Sequence, residues 1–232
     1  MKRAAPVVLV SGGNRGIGFE ACRALAAAGA AVLLGARKSS DGEKAAGELS
    51  KSGSVTPVSL DVADAKSVAA LKARVEKEFG ALDVLINNAG VYADGGKSAL
   101  SVSEEVIEKT LSTNLLGAWR LCRALAPGMS AKRRGRIVNV SSGMGALSSM
   151  GADAPSYRVT KAALNALTLV LAAELKPAGV SVVSFCPGWV ATDMGGANAP
   201  RTPESAGKAL AIAALDDDRT GVFIRDGQII SW

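Results

Sequence analysis

From residue 7 to residue 224, short apolar runs rich in Val, Leu and Ile alternate with longer stretches of helical pattern, and this succession restricts the fold more than any single motif does. The expected strands are 7–10, 31–34, 55–60, 84–87, 136–140, 180–185 and 222–224. The expected helices are 16–28, 41–50, 65–79, 103–129, 156–176 and 203–215. The strand runs are apolar throughout rather than alternately polar, as strands covered on both faces require. Such a succession implies right-handed crossovers and an α/β fold: an open, doubly wound parallel sheet of about seven strands with helices on both faces. No linker, repeat or break in composition divides the chain, and 232 residues suit one domain spanning 1–232. In sheets of this kind ligands sit beyond the carboxyl ends of the strands, where the strand order reverses.

The first expected strand runs into Ser11-Gly12-Gly13-Asn14-Arg15-Gly16-Ile17-Gly18 and then into a helix. Glycines at 12, 16 and 18 permit a sharp turn, close approach of backbone to a pyrophosphate, and tight packing of helix on sheet. The helix start adds unpaired N–H groups and the positive end of its dipole. The spacing Gly-x-x-x-Gly-x-Gly departs from the usual Gly-x-Gly-x-x-Gly, so its place between first strand and first helix carries the argument. A carboxylate ending the second strand would accept ribose hydroxyls and repel a 2′-phosphate. The chain has Gly35-Ala36-Arg37-Lys38 there instead. Arg37 and Arg15 can clamp a phosphate through charge-assisted bonds, so NADP(H) is the expected cofactor.

Tyr157 and Lys161 stand one turn apart on one face of the expected helix 156–176. A free phenol, with a pKa of about 10, is a weak acid near neutrality. A cation beside it favours the phenolate and is expected to draw that value down. The pair can serve as a proton-transfer device without histidine, which the chain lacks.

Other features narrow the function by exclusion. Cys22, Cys122 and Cys186 are widely spaced in apolar or helical sequence and read as small buried hydrophobes in a reducing compartment. Without histidine or a close cysteine pair, no metal site is expected. No apolar run approaches the roughly 18–20 residues that span a bilayer, so no membrane partner is expected. The start, Met1-Lys2-Arg3-Ala4-Ala5-Pro6, leads directly into a strand without a cleavage-type segment, and a cytoplasmic location is the expectation. A net charge of +6 suits anionic ligands. The basic run Lys132-Arg133-Arg134-Gly135-Arg136 reads as a solvated connection, without the interleaved aromatics of a nucleic-acid face.

Taken together, Gly12 to Gly18, Asp61-Val62, Asn87-Asn88-Ala89-Gly90, Thr113-Asn114, Asn139-Val140-Ser141-Ser142, Tyr157 to Lys161 and Pro187-Gly188-Trp189-Val190-Ala191-Thr192 resemble the short-chain dehydrogenase/reductase family over essentially the whole chain. The resemblance implies a Rossmann fold and a catalytic set of Asn114, Ser142, Tyr157 and Lys161. Ser142 rather than Ser141 matches, because the family's serine closes the Asn-x-Ser-Ser run. Asn114 lies inside a helical pattern, which suits a helix distorted around a water in a proton relay. Cofactor contacts are implied for Gly12, Asn14, Arg15, Gly16, Ile17, Gly18 and Arg37. Asp61 and Val62 are implied at the adenine, and Asn88, Ala89 and Gly90 beside a ribose. Tyr157 and Lys161 are implied to touch the cofactor too, with Pro187, Gly188, Val190 and Thr192 at its nicotinamide end.

The chain departs from the family pattern in two places. The interval from Ser142 to Tyr157 is slightly long, and the helical lid that many members carry after Thr192 is nearly absent from 193–203. An open, permissive pocket is expected. The shortened lid and the ending 227–232 look most like the carbonyl reductase branch. The function implied is hydride transfer from NADPH to the carbonyl of a ketone, aldehyde or quinone, with Tyr157 as general acid. A 3-oxoacyl-carrier-protein reductase is an alternative, its basic surface meeting an acidic carrier. A non-catalytic NADP-binding redox sensor is another, although it would be expected to have lost the proton-transfer residues. In many relatives the helices matching 103–129 and 156–176 form a four-helix dimer contact, so a homodimer or homotetramer is expected, with a monomer still open.

Overall fold

A computed structural model describes residues 5–232, and the expectation drawn from the first four residues falls outside them. The first half runs β1 (Val7–Ser11), α1 (Gly16–Ala27), β2 (Ala31–Ala36), α2 (Ser39–Leu49), β3 (Val55–Ser59), α3 (Ala65–Phe79) and β4 (Val84–Asn87). The second runs α4 (Glu104–Leu111), α5 (Ala118–Ala131), β5 (Gly135–Val140), α6 (Pro155–Leu175), β6 (Val180–Phe185), α7 (Pro203–Leu215), β7 (Phe223–Arg225) and β8 (Gln228–Ile229).

The strands form one sheet in the order β3-β2-β1-β4-β5-β6-β7-β8. Every neighbouring pair is parallel except β7 and β8. The order reverses between β1 and β4, which is where a doubly wound sheet opens a crevice at its carboxyl edge. Apolar residues on the two faces of each strand feed two separate cores. Leu9, Leu85 and Ile137 pack with α3, α5 and α6, whereas Val8, Val10, Ile86 and Val138 pack with α1, α2 and α7. Burial on both sides is why the strands read as unbroken apolar runs.

Three features differ from expectation. An eighth strand is added by a hairpin in which Asp226 and Gly227 both take positive φ, 49° and 74°. Asp-Gly is the usual sequence of such a turn, and β8 is too short and exposed to show as a pattern. The expected helix 103–129 is not continuous: a π-helical turn, Ser112–Gly117, separates α4 from α5, and it falls at Asn114, where a distorted helix was expected. The basic run is only partly solvated. Lys132 and Arg134 both bind Asp83, at 2.9 and 2.6 Å, while Arg136 is buried against the carbonyls of Ala213 and Arg219 at 2.6 and 3.0 Å.

Candidate active site

The turn after β1 is shaped by missing side chains. A Cβ on Gly18 would stand 2.3 Å from the Gly12 carbonyl oxygen, so glycine alone lets the start of α1 settle on the turn. Gly12 takes φ +65°, a left-handed conformation that favours glycine. Asn88, just past β4, donates its side-chain amide to the carbonyls of Ser11 and Gly12, each at 3.0 Å. Ser11 Oγ in turn accepts from the backbone N–H groups of Asn88 and Ala89, at 3.0 and 3.1 Å. The two strands flanking the switch point are thus stitched together. Arg15 occupies the N-cap of α1 without capping it, so the first-turn N–H groups have no side-chain partner there and are available to an anion.

Of the two expected phosphate clamps, Arg37 is exposed just beyond β2. Arg15 is engaged instead with Asp193 at 2.6 Å, both side chains well exposed. That pair, and Thr192 within 3.3 Å of where a Cβ on Gly16 would lie, bring the segment after β6 over the glycine turn. The segment is turn-rich and not helical, as expected. Its base is closed by a bridge between Val190 and Arg201, with Ala191 N–H donating to the Arg201 carbonyl at 2.8 Å. Pro187 accepts from the Arg201 guanidinium at 2.8 Å, and Gly188 turns with φ +78° beside Arg225. Asp61 Oδ1 accepts from Ala63 N–H at 2.9 Å, closing the turn after β3. Val62 packs on Gly117, where any Cβ would come within 2.7 Å of its methyl.

The four expected catalytic residues gather at the carboxyl edge of β4, β5 and β6. Asn114 is buried in the π-helical turn, whose extra width aims its amide at Val91. Its Oδ1 accepts from Val91 N–H at 2.8 Å, and its Nδ2 donates to the Val91 carbonyl at 2.9 Å and to Thr160 Oγ1 at 3.2 Å. Gly90 lies between Asn114 and Lys161, a Cβ there falling 3.4 Å from Asn114 Oδ1 and 3.7 Å from Lys161 Nζ. Lys161 is buried on α6 and donates to the Val140 carbonyl at the end of β5, at 2.7 Å. Ser142 Oγ accepts from Met144 N–H at 3.1 Å, which leaves its own proton for another acceptor.

Burial dominates the acid–base groups. It pushes the Tyr157 phenol up to about 12, against the lowering effect of the Ser142 hydroxyl and with smaller upward contributions from Cys186 and Tyr92. Burial also pushes Lys161 down to about 8, with Cys186 acting the other way. The expectation that Lys161 draws the phenol down is therefore corrected. The ammonium is aimed at Val140 and lies 5.6 Å from the centre of the Tyr157 ring, and desolvation of the phenol outweighs it.

Two neighbours escaped the sequence reading. Tyr92 packs edge-on against Tyr157, ring centres 5.0 Å apart at 84°. Asp94 binds the start of α6 and is wholly buried. A signal for Asp94 was present at the other end of the contact, where Ala154 precedes α6 without an acceptor side chain.

The family model described as short chain dehydrogenase matches residues 6–202. The chain belongs to the short-chain dehydrogenase family. This short-chain dehydrogenase is 32% identical to an NADPH carbonyl reductase of Sus scrofa, over 97% of the chain and 94% of that protein. It is 35% identical to a 3-oxoacyl-acyl-carrier-protein reductase of Vibrio cholerae, over 81% of the chain and 75% of that protein. A solved NADPH-bound carbonyl reductase from chicken fatty liver superposes with a TM-score of 0.87 at 28% identity, covering 98% of the chain and 99% of that structure.

Proposed function

We propose that this short-chain dehydrogenase reduces a carbonyl group with NADPH, Tyr157 giving the proton. The observation that carries the reading is the gathering of Asn114, Ser142, Tyr157 and Lys161 beside a glycine cradle at the switch point of the sheet. The turn fits a dinucleotide, because Gly18 lets α1 start close against it and that helix start is left uncapped. Gly12, Asn14, Gly16, Ile17 and Gly18 would hold the pyrophosphate, and Asp61 and Val62 the adenine. Asn88, Ala89, Gly90 and Lys161 would flank the nicotinamide ribose, with Pro187, Gly188, Val190 and Thr192 at the ring. Arg37, exposed where an acid would select NAD, favours a 2′-phosphate, with Arg15 joining it on release from Asp193. The relatives named for NADPH support the same choice.

When bound, the reduced nicotinamide supplies the hydride that reaches the carbonyl carbon. Ser142 and Tyr157 donate hydrogen bonds to the carbonyl oxygen as it gains negative charge. A phenol held near 12 keeps its proton at neutral pH and surrenders it to an alkoxide, which is a far stronger base. The Lys161 ammonium, 5.6 Å from the ring centre, would offset only part of the desolvation cost of the phenolate left behind.

A second reading, reduction of 3-oxoacyl groups on an acidic carrier, is favoured by the Vibrio cholerae relative and by the net charge of +6. A groove of about 820 Å3 along α5 and α6, where Leu116, Trp119 and Leu171 are interspersed with Arg120, Arg123 and Glu174, suits a second copy of the chain in a dimer or tetramer. Three buried free cysteines suit the reducing cytoplasm. The test follows cofactor absorbance with NADPH and NADH in parallel, against small diketones, quinones, aldehydes and an acyl-carrier substrate. Turnover of the small carbonyls with NADPH is expected. Turnover of the carrier substrate alone would favour the second reading, and tight cofactor binding without any turnover would favour a sensor.

A further inference from the structure

Helix α6 carries Tyr157 and Lys161 yet begins without a cap of its own. Its N-cap is Ala154, which has no acceptor, and the chain enters it through Asp153 and Ala154, both left-handed with φ of 74° and 49°. Pro155 has no N–H to satisfy, and Arg158 N–H reaches the Ala154 carbonyl at 3.0 Å. The two remaining N–H groups of the first turn, those of Ser156 and Tyr157, both donate to Asp94 Oδ2, at 2.6 and 3.3 Å. The missing local cap is thus supplied by a carboxylate from the segment that follows β4, where the positive end of the helix favours it.

The segment bearing Asp94 touches the catalytic group at successive points. Asn114 grips Val91 by both backbone groups, Tyr92 packs on the Tyr157 ring, and Gly96 N–H donates to Asp153 at the entry to α6. Asp94 itself is 0% exposed, and its second oxygen is buried without a hydrogen-bond partner among the described residues. A serine or threonine at the helix start would satisfy it locally, whereas Asp94 also ties α6 to the segment after β4.

We propose that Asp94 is a positioning residue for the acid: by capping α6 from the segment after β4, it fixes the Tyr157 phenol relative to residues 91–98. The inference rests on Tyr157 being the proton donor. Its effect is one of placement, exerted through the backbone of the residue that carries the phenol.

The test compares Asp94→Ala, Asp94→Asn and Asp94→Glu with Tyr157→Phe, each checked for folding by circular dichroism at the assay temperature. Asp94→Ala is expected to lower kcat about 10- to 100-fold, the size of effect that follows from slight misplacement of a reacting group. The KM for NADPH should hold, and the solvent isotope effect on kcat should rise as proton transfer becomes limiting. Asp94→Asn keeps a carbonyl oxygen for the same two N–H groups and should recover most of kcat. Asp94→Glu keeps the charge but displaces the acceptor by a methylene, so it should fold and still lose kcat, which guards against an alanine variant that fails to fold. Wild-type kcat in Asp94→Ala or Asp94→Glu would overturn the inference. So would equal loss in Asp94→Ala and Asp94→Asn with no change in isotope effect. An active Tyr157→Phe would instead overturn the proton-donor reading beneath it.

Discussion

The glycine turn between β1 and α1 is shaped chiefly by what its residues lack, whereas the rim around Tyr157 is held mostly by contacts between segments far apart in the sequence. In the turn, Gly18 meets the Gly12 carbonyl where any side chain would collide, and Asn88 ties the next strand to the same two carbonyls. In the rim, Val91 is held by Asn114, the start of α6 by Asp94, and the segment after Ser142 by the Trp232 carbonyl, which accepts from Ser148 N–H at 3.1 Å. Trp189 is held by its own loop, its indole N–H donating to the Gly195 carbonyl at 2.7 Å. A turn fixed by close backbone approach tolerates little change. A rim made of distant contacts can be rebuilt residue by residue.

The comparison breaks first if the acid does not lie in the rim. Tyr157→Phe should reduce turnover by about 10²- to 10⁴-fold, the usual contribution of a positioned proton donor, while NADPH binding in a fluorescence titration stays unchanged. Next comes the claim that the cradle side selects the cofactor. Arg15→Ala combined with Arg37→Ala should weaken NADPH by about 10- to 100-fold, through loss of charged hydrogen bonds, and leave NADH nearly unaffected. Equal weakening of both would remove the basis for NADP.

Lys161 sits where the two regions meet, and its test is stability against pH. Its folded value of about 8 lies below the ordinary 10.5, so between those limits the unfolded chain binds more protons than the folded one. Stability contributed by this site therefore rises with pH through that window, and below it the buried ammonium is a standing destabilisation. Lys161→Met should abolish the rise in urea denaturation and be more stable than the native protein at pH 7, by at most about 3 kcal/mol, while losing activity. A less stable variant at pH 7 would mean that the bond to Val140 outweighs desolvation. The smallest effect belongs to the exposed Arg15–Asp193 pair. Asp193→Ala should change stability by less than about 0.5 kcal/mol, and by freeing Arg15 should tighten NADPH slightly.

The same contrast explains how much could be read in advance. Apolar runs and the glycine cluster are local, and they announced the sheet, its crossovers and the cradle. The motifs also named Asn114, Ser142, Tyr157 and Lys161, which the fold brings to one edge. What escaped depends on contacts between distant residues. The place of Asn114 suggested a distorted helix, but no stretch of the helix itself reveals that Asn114 pairs with Val91 or that Gly117 makes room for Val62. The high value of the Tyr157 phenol follows from burial, which the spacing of Tyr157 and Lys161 cannot express. Asp94 acts on a helix 62 residues later. Only β8 had a local signature that went unread, the Asp226-Gly227 turn.

Leu9 and Val10 are neighbours in β1, yet they answer to different companions, Leu9 to the layer of α3, α5 and α6 and Val10 to that of α1, α2 and α7. The sheet is therefore a partition between two separately packed layers. Changes on the outer faces of α5 and α6 are screened by it from the packing that seats α1 on its glycine turn. The two layers answer to one another at the carboxyl edge, where α6 carries Tyr157 and Lys161.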